Sequence, residues 1–210
     1  MRKLATALFV TAVVLIPAVA IAAVPSPANS TTPPCLAPCP MGDVALTVVV
    51  RDFANNPVAG SSVVFSFADC PNAFLCPPRP NDDYTVDLTL RTIRAITDAS
   101  GTVTIHPRVG GTGPAGSVGL FADGVLLRSY ALASPDQNGN GVCVSLVDTD
   151  DAIFAAKLGA LDPTADFNCS GGPVDAADQL YFFQHHSHSC DGFVDPVIRK
   201  NWGSLKLHYR

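Results

Sequence analysis

The chain has 210 residues, room for one or two small domains, with 48% hydrophobic residues and a net charge of −5. All 18 acidic residues are Asp, which excludes chemistry built on glutamate, such as an HExxH zinc helix or a Glu acid/base pair. Ten of those Asp lie between Asp136 and Asp195 with one base, Lys157; that half repels nucleic acid and suits cations.

The N-terminus reads as a secretory signal over residues 1–23. Arg2 and Lys3 precede an apolar run from Leu4 to Ile16, and Pro17 breaks it before the small residues Ala18, Ala20, Ala22 and Ala23. The competing reading is a retained membrane anchor. With the signal cleaved, no membrane span is expected and the protein is secreted, extracellular or held at the cell surface. Seven cysteines in an exported chain suggest disulfides. Cys70 and Cys76 could pair locally, Cys35 and Cys39 are close in sequence, and Cys169 could reach Cys190; spacing alone does not decide between these. No CxxC pair set supports zinc.

Residues 24–42 hold six prolines among Ser and Thr and read as a semi-extended linker. From Asp43 the pattern alternates. Val44, Leu46, Val48 and Val50 share a strand face, and Asn55-Asn56-Pro57 makes a turn. Further strands are expected at residues 63–67, 84–90, 93–97 and 102–105, with a hairpin from 118–121 to 125–132 across Ala122-Asp123-Gly124. About seven short strands point to a two-sheet sandwich over 43–133. Gly110-Gly111-Thr112-Gly113 lacks the Lys-Ser or Lys-Thr of a phosphate loop and leads into a strand.

The stretches Leu46-Thr47-Val48-Val49-Val50-Arg51-Asp52, Asn56-Pro57-Val58-Ala59-Gly60-Ser61-Ser62-Val63 and Thr97-Asp98-Ala99-Ser100-Gly101-Thr102-Val103-Thr104 resemble the bacterial immunoglobulin-like domains of invasins and adhesins. The resemblance implies a spacer or display module without chemistry of its own.

Ser134-Pro135 opens the acidic half, 134–195. Asp136-Gln137-Asn138-Gly139-Asn140-Gly141 and Asp166-Phe167-Asn168-Cys169-Ser170-Gly171 lie 30 residues apart (166 − 136). Each puts oxygen-bearing side chains at its first, third and fifth positions and glycine at its sixth, the order in which a loop wraps calcium. The ligands expected for one ion are Asp136, Asn138, Asn140, the Val142 carbonyl and Asp148. Those for the second are Asp166, Asn168, Ser170, the Gly172 carbonyl and Asp178. Such an oxygen set fits calcium better than magnesium, which demands a stricter octahedron. After each loop the apolar spacing becomes helical, over 148–158 with Ile153, Phe154 and Leu158, and over 178–186 with Leu180, Phe182 and Phe183. Ile153 and Phe183 stand at equal offsets from their loops, so the two helices are expected to pack these faces together.

The duplicated loop–helix pattern looks like the dockerin domain, whose family binds two calcium ions and docks onto cohesin. The fold class this implies is a two-domain chain: an all-β immunoglobulin-like sandwich followed by a small all-α, EF-hand-like calcium module. The closing aspartates fall one place later than that family's twelfth position. The small hydroxyl-bearing recognition pair is missing, with Leu146-Val147 and Ala176-Ala177 in its place.

His185, His186 and His188 beside Cys190 read as a solvated helix end in preference to a transition-metal site. Residues 196–210 form a basic tail containing Trp202, the only Trp. No arrangement of nucleophile, base and acid marks an enzyme. The function expected is thus a non-catalytic module with a protein partner, which the resemblance implies is cohesin-like. A carbohydrate-binding accessory protein, with the sandwich as sugar platform, is the alternative.

Overall fold

The computed structural model describes residues 23–143 and 149–193. The signal segment through residue 22, Asp148, the Leu146-Val147 pair and the basic tail with Trp202 lie outside the described residues.

Alternation of apolar and polar side chains does what the sequence asks of it. The first strands are β1 (Leu46–Val49), β2 (Ser62–Ser66), β3 (Phe74–Leu75), β4 (Thr85–Asp87) and β5 (Thr92–Ile96). β6 (Thr102–Ile105), β7 (Val109–Gly110), β8 (Thr112–Ala122) and β9 (Val125–Ala133) follow. A five-stranded antiparallel sheet runs β4-β5-β2-β8-β9, while β1 pairs with β6 and β3 with β7. Val63 and Phe65 from β2, Ile93 from β5 and Val118 and Leu120 from β8 meet Leu46 and Val48 from β1 and Ile105 from β6 in one buried cluster. The large sheet and the β1–β6 pair therefore share a core in sandwich-like packing. Burying one such side chain contributes about 1.5–3 kcal/mol.

Turn chemistry sets the register. Asp123 and Gly124 carry φ of 46° and 82°, the left-handed pair that a two-residue hairpin between β8 and β9 requires. Asp123 also accepts from the Ser62 amide at 2.8 Å, fixing that turn to β2. At the β5–β6 turn, Asp98 Oδ1 accepts from the Ser100 and Thr102 amides at 2.8 and 3.0 Å.

Residues 24–42, expected as a linker, are extended but pinned. Thr31 exchanges two backbone bonds with Val49 at 2.8 and 2.9 Å, and Ala133 donates to Leu36 at 3.0 Å. Ser26, Leu36 and Cys39 are buried. The prolines leave few amides to donate, and those that remain find the sandwich edge.

The expected all-α module is not what the acidic half forms. It contains α1 (Asp150–Ala155) and α2 (Ala176–Gln184), of 6 and 9 residues. Loops and the small pair β10 (His188–Ser189) with β11 (Gly192–Phe193) make up the rest. Among the described residues 35% are strand and 9% helix. Asp, Gly and Pro dominate this half, and such residues hold turns better than they propagate helix. Gly159, at φ 78°, already ends the helical run after α1.

The helices cover a second, smaller core of Phe154, Phe167, Val174 and Phe182 with Ala37 and Ala133. Phe154 and Phe182 stack with centroids 4.5 Å apart and planes 5° from parallel. The expected packing of Ile153 on Phe183 is one position off in each helix, and Phe183 is exposed. Disulfides join Cys35 to Cys169 and Cys76 to Cys190. None of the three local pairings suggested by spacing forms; Cys39, Cys70 and Cys143 stay outside both bridges.

Candidate functional site

The two Asx-rich loops share one skeleton of side-chain-to-amide bonds. Asp136 Oδ1 accepts from the Asn140 amide four residues on at 3.1 Å, and Oδ2 accepts from Gly141 at 2.7 Å. In the second loop Asp166 Oδ1 accepts from Ser170 at 2.9 Å and Oδ2 from Gly171 at 2.8 Å. Asn138 and Asn168 each accept from the amide two residues on, at 3.0 and 2.8 Å. The Asn140 and Ser170 oxygens do likewise for Val142 and Gly172, at 2.9 and 3.0 Å. Gly141 and Gly171, the sixth residues, sit at φ of 83° and 68°, where glycine is strain-free.

Each loop is closed by a carboxylate from the first turn of a helix. Asp178 Oδ1 accepts from the Asn168 amide at 3.0 Å. Its counterpart is Asp150, whose Oδ1 accepts from the Asn138 amide at 2.9 Å. The closing acids thus fall 14 residues (150 − 136) and 12 residues (178 − 166) after the loop starts. Asp136, Asp150 and Asp178 are all buried. Asp178 also completes the cap of α2, accepting from the Asp175 amide at 3.0 Å. Val142 is half-buried in a bridge to Ser189. Ser170 and Gly171 are exposed and Gly172 is half-buried, so the second loop is the more open of the two.

Glycines let the first loop reach the sandwich. A Cβ on Gly110 would lie 1.8 Å from Asp136 Oδ2, and one on Gly139 would lie 2.4 Å from the Asn72 carbonyl oxygen. The glycine run at 110–113 is therefore a seat for the Asp136 loop. Lys157, the one base of this half, ties the two loops: its Nζ donates to Gln137 Oε1 at 2.7 Å and Thr164 Oγ1 at 2.6 Å. Burial pushes the Lys157 amine below its usual range, against the attraction of Asp162.

The donor set is hard oxygen throughout. Carboxylate and amide oxygens each hold more than one lone pair, so accepting a loop amide leaves capacity for a cation. The residues present fit calcium on that ground.

The histidines do not form the solvated helix end that their position suggests. His185 and His188 are buried, not solvated, and they face Cys39 and Asp43. Cys190, their expected neighbour, is in a disulfide. Burial opposes ionisation of Cys39, but bonds from Cys143, His188 and the Met41 amide outweigh it and hold the thiol below its usual range. Cys143 is pushed up, first by its bond to Cys39. That same Cys39 contact raises His188. The signal in the sequence was the pair of short spacings Cys39-x3-Asp43 and His185-x2-His188, separated by 141 residues (185 − 43 − 1) and so invisible as one motif.

No protein-family model matches the chain, and no curated protein and no solved structure matches it either.

Proposed function

We propose that this is a non-catalytic extracellular protein that binds two calcium ions through its duplicated loops and, once these are ordered, docks onto a protein partner. The observation that carries the reading is the repeated hydrogen-bond skeleton of loops 136–141 and 166–171, each closed by a helix-borne carboxylate. Asp136, Asn138, Asn140 and the Val142 carbonyl with Asp150 would hold one ion. Asp166, Asn168, Ser170 and the Gly172 carbonyl with Asp178 would hold the other. The ions would neutralise carboxylates that otherwise repel one another.

Two disulfides fit an oxidising, extracellular setting. Among the described residues no helix is long and apolar enough to cross a membrane. The docking surface is supported by α2, which leaves Leu180 and Phe183 exposed three residues apart on one face. Leu158 and Leu161 are exposed in the same half. Exposed apolar side chains grouped in this way mark partner surfaces.

Calcium titration of the full chain by calorimetry tests the reading. Two ions are expected for the native protein and one for each of Asp136→Ala and Asp166→Ala, with Ser170→Ala weakening its site less than Asp166→Ala does. Absence of binding heat, or a stoichiometry indifferent to both Asp substitutions, overturns it.

A further inference from the structure

Four side chains from two distant stretches of the chain meet at the C-terminal end of α2. Cys39 and Asp43 come from the segment before β1, while His185 and His188 come from the end of α2 and the start of β10. Each offers one ligating atom, and these atoms all lie within 4.8 Å of one another. We propose that Cys39, Asp43, His185 and His188 form a closed, structural four-ligand site for a zinc ion.

Three of the distances within the cluster are short. His188 Nδ1 stands 3.2 Å from Cys39 Sγ and 3.4 Å from Asp43 Oδ2, and His185 Nε2 stands 3.5 Å from the same oxygen. The two nitrogen–oxygen separations are long for hydrogen bonds, which cluster near 2.9–3.0 Å. They fit a tetrahedron: zinc–ligand bonds of about 2.0–2.3 Å put neighbouring ligand atoms about 3.3–3.6 Å apart.

The surrounding bonds orient the ligands. His185 Nδ1 lies 2.8 Å from the Tyr181 carbonyl oxygen. That carbonyl can only accept, so Nδ1 carries a proton towards it and Nε2 is the nitrogen that faces the cluster, the outer-shell arrangement of metal-bound histidines. On the other side, Cys39-Pro40-Met41-Gly42 forms a tight turn. The Gly42 amide donates to the Cys39 carbonyl at 2.9 Å. Gly42 takes φ of 79°, and a Cβ there would strike Arg108 at 2.5 Å, so the turn that delivers Asp43 depends on glycine. Thiolate, imidazole and carboxylate together suit a borderline-soft ion and not calcium. Cys39, His185 and His188 are buried while Asp43 is a third exposed, which leaves an entry path. With four protein ligands no position stays open for substrate, so the role is structural.

Cobalt(II) chloride titrated into the full chain, in excess calcium to saturate the oxygen loops, reports the site directly. One equivalent is expected to give the strong visible absorption of tetrahedral cobalt with a thiolate charge-transfer band, and zinc chloride should displace it. Cys39→Ser should abolish the charge-transfer band. Asp43→Asn, at an exposed position with the fold checked by circular dichroism, should weaken binding by about tenfold or more, the least that outer-shell changes cost. The proposal is overturned by absence of that band in protein whose Cys39 is shown reduced, by an affinity unchanged in Asp43→Asn, or by a Cys39–Cys143 disulfide in the native protein.

Discussion

At Asp136 the backbone and the side chain are bound to different parts of the molecule. Its carbonyl accepts from the Gly111 amide at 2.7 Å, while its carboxylate gathers the amides of Gly139, Asn140 and Gly141. Gly110 is the residue that makes room for it, with Oδ2 where a Cβ would be. Gly110→Ala must therefore push the carboxylate or the strand aside, and the cost falls on the first loop. Calorimetry should show the Asp136 site weakened at least tenfold, with the Asp166 site unchanged; equal loss at both sites would refute the separation. The fold of the Asp136 loop and its glycines was legible in the sequence because the Asx spacing and the sixth-position turn are local. Asp150 was not. The first loop carries two more residues than the second before its closing acid, and only the bond from the Asn138 amide shows which Asp turns inward. Cys39 with the two histidines was hidden for the opposite reason, since the partners are local neither in sequence nor in element.

Helical spacing located α1 and α2 but not their buried faces. The acid that begins each helix sets the phase: Phe154 follows Asp150 by four residues, and Phe182 follows Asp178 by four. Equal offsets from the two loops pointed instead to Ile153 and Phe183, one place off in each helix. The strands fared better, because period two and turn residues such as Asp123-Gly124 specify register directly. The two-residue strands β3, β7, β10 and β11 were missed, being too short to carry a period. The Phe154–Phe182 stack joins the helices that bear both closing acids, so it couples the loops mechanically. Phe182→Ala removes a buried ring and should destabilise the acidic half by about 3–5 kcal/mol. The adjacent Phe183→Ala, half-exposed, should stay within about 0.5 kcal/mol of native. Urea unfolding followed by circular dichroism compares the two, and a larger loss for Phe183→Ala would reverse the assignment of faces.

Across the whole molecule, the expected division into a sandwich, a linker and a separate acidic module understates how the chain is closed. The disulfides span 134 and 114 residues and fasten the acidic half from two sides. One reaches the second loop from the N-terminal segment, and the other reaches the β10–β11 turn from the end of β3. Arg108 reinforces the second closure: its guanidinium is buried and donates to the Cys190 carbonyl at 2.8 Å. The acidic half has only a small aromatic core, so these covalent ties carry much of what holds it to the sandwich. Cross-links closing loops this long restrict the unfolded chain most, and losing one costs about 2–5 kcal/mol. Native protein in calcium should accordingly unfold in a single thermal transition by calorimetry. With Cys76 and Cys190 both replaced by Ser, the acidic half should melt first, with its transition lowered further by chelation while the sandwich transition stays in place. One transition in the double variant, insensitive to chelator, would mean that packing and not the bridge unites the two halves.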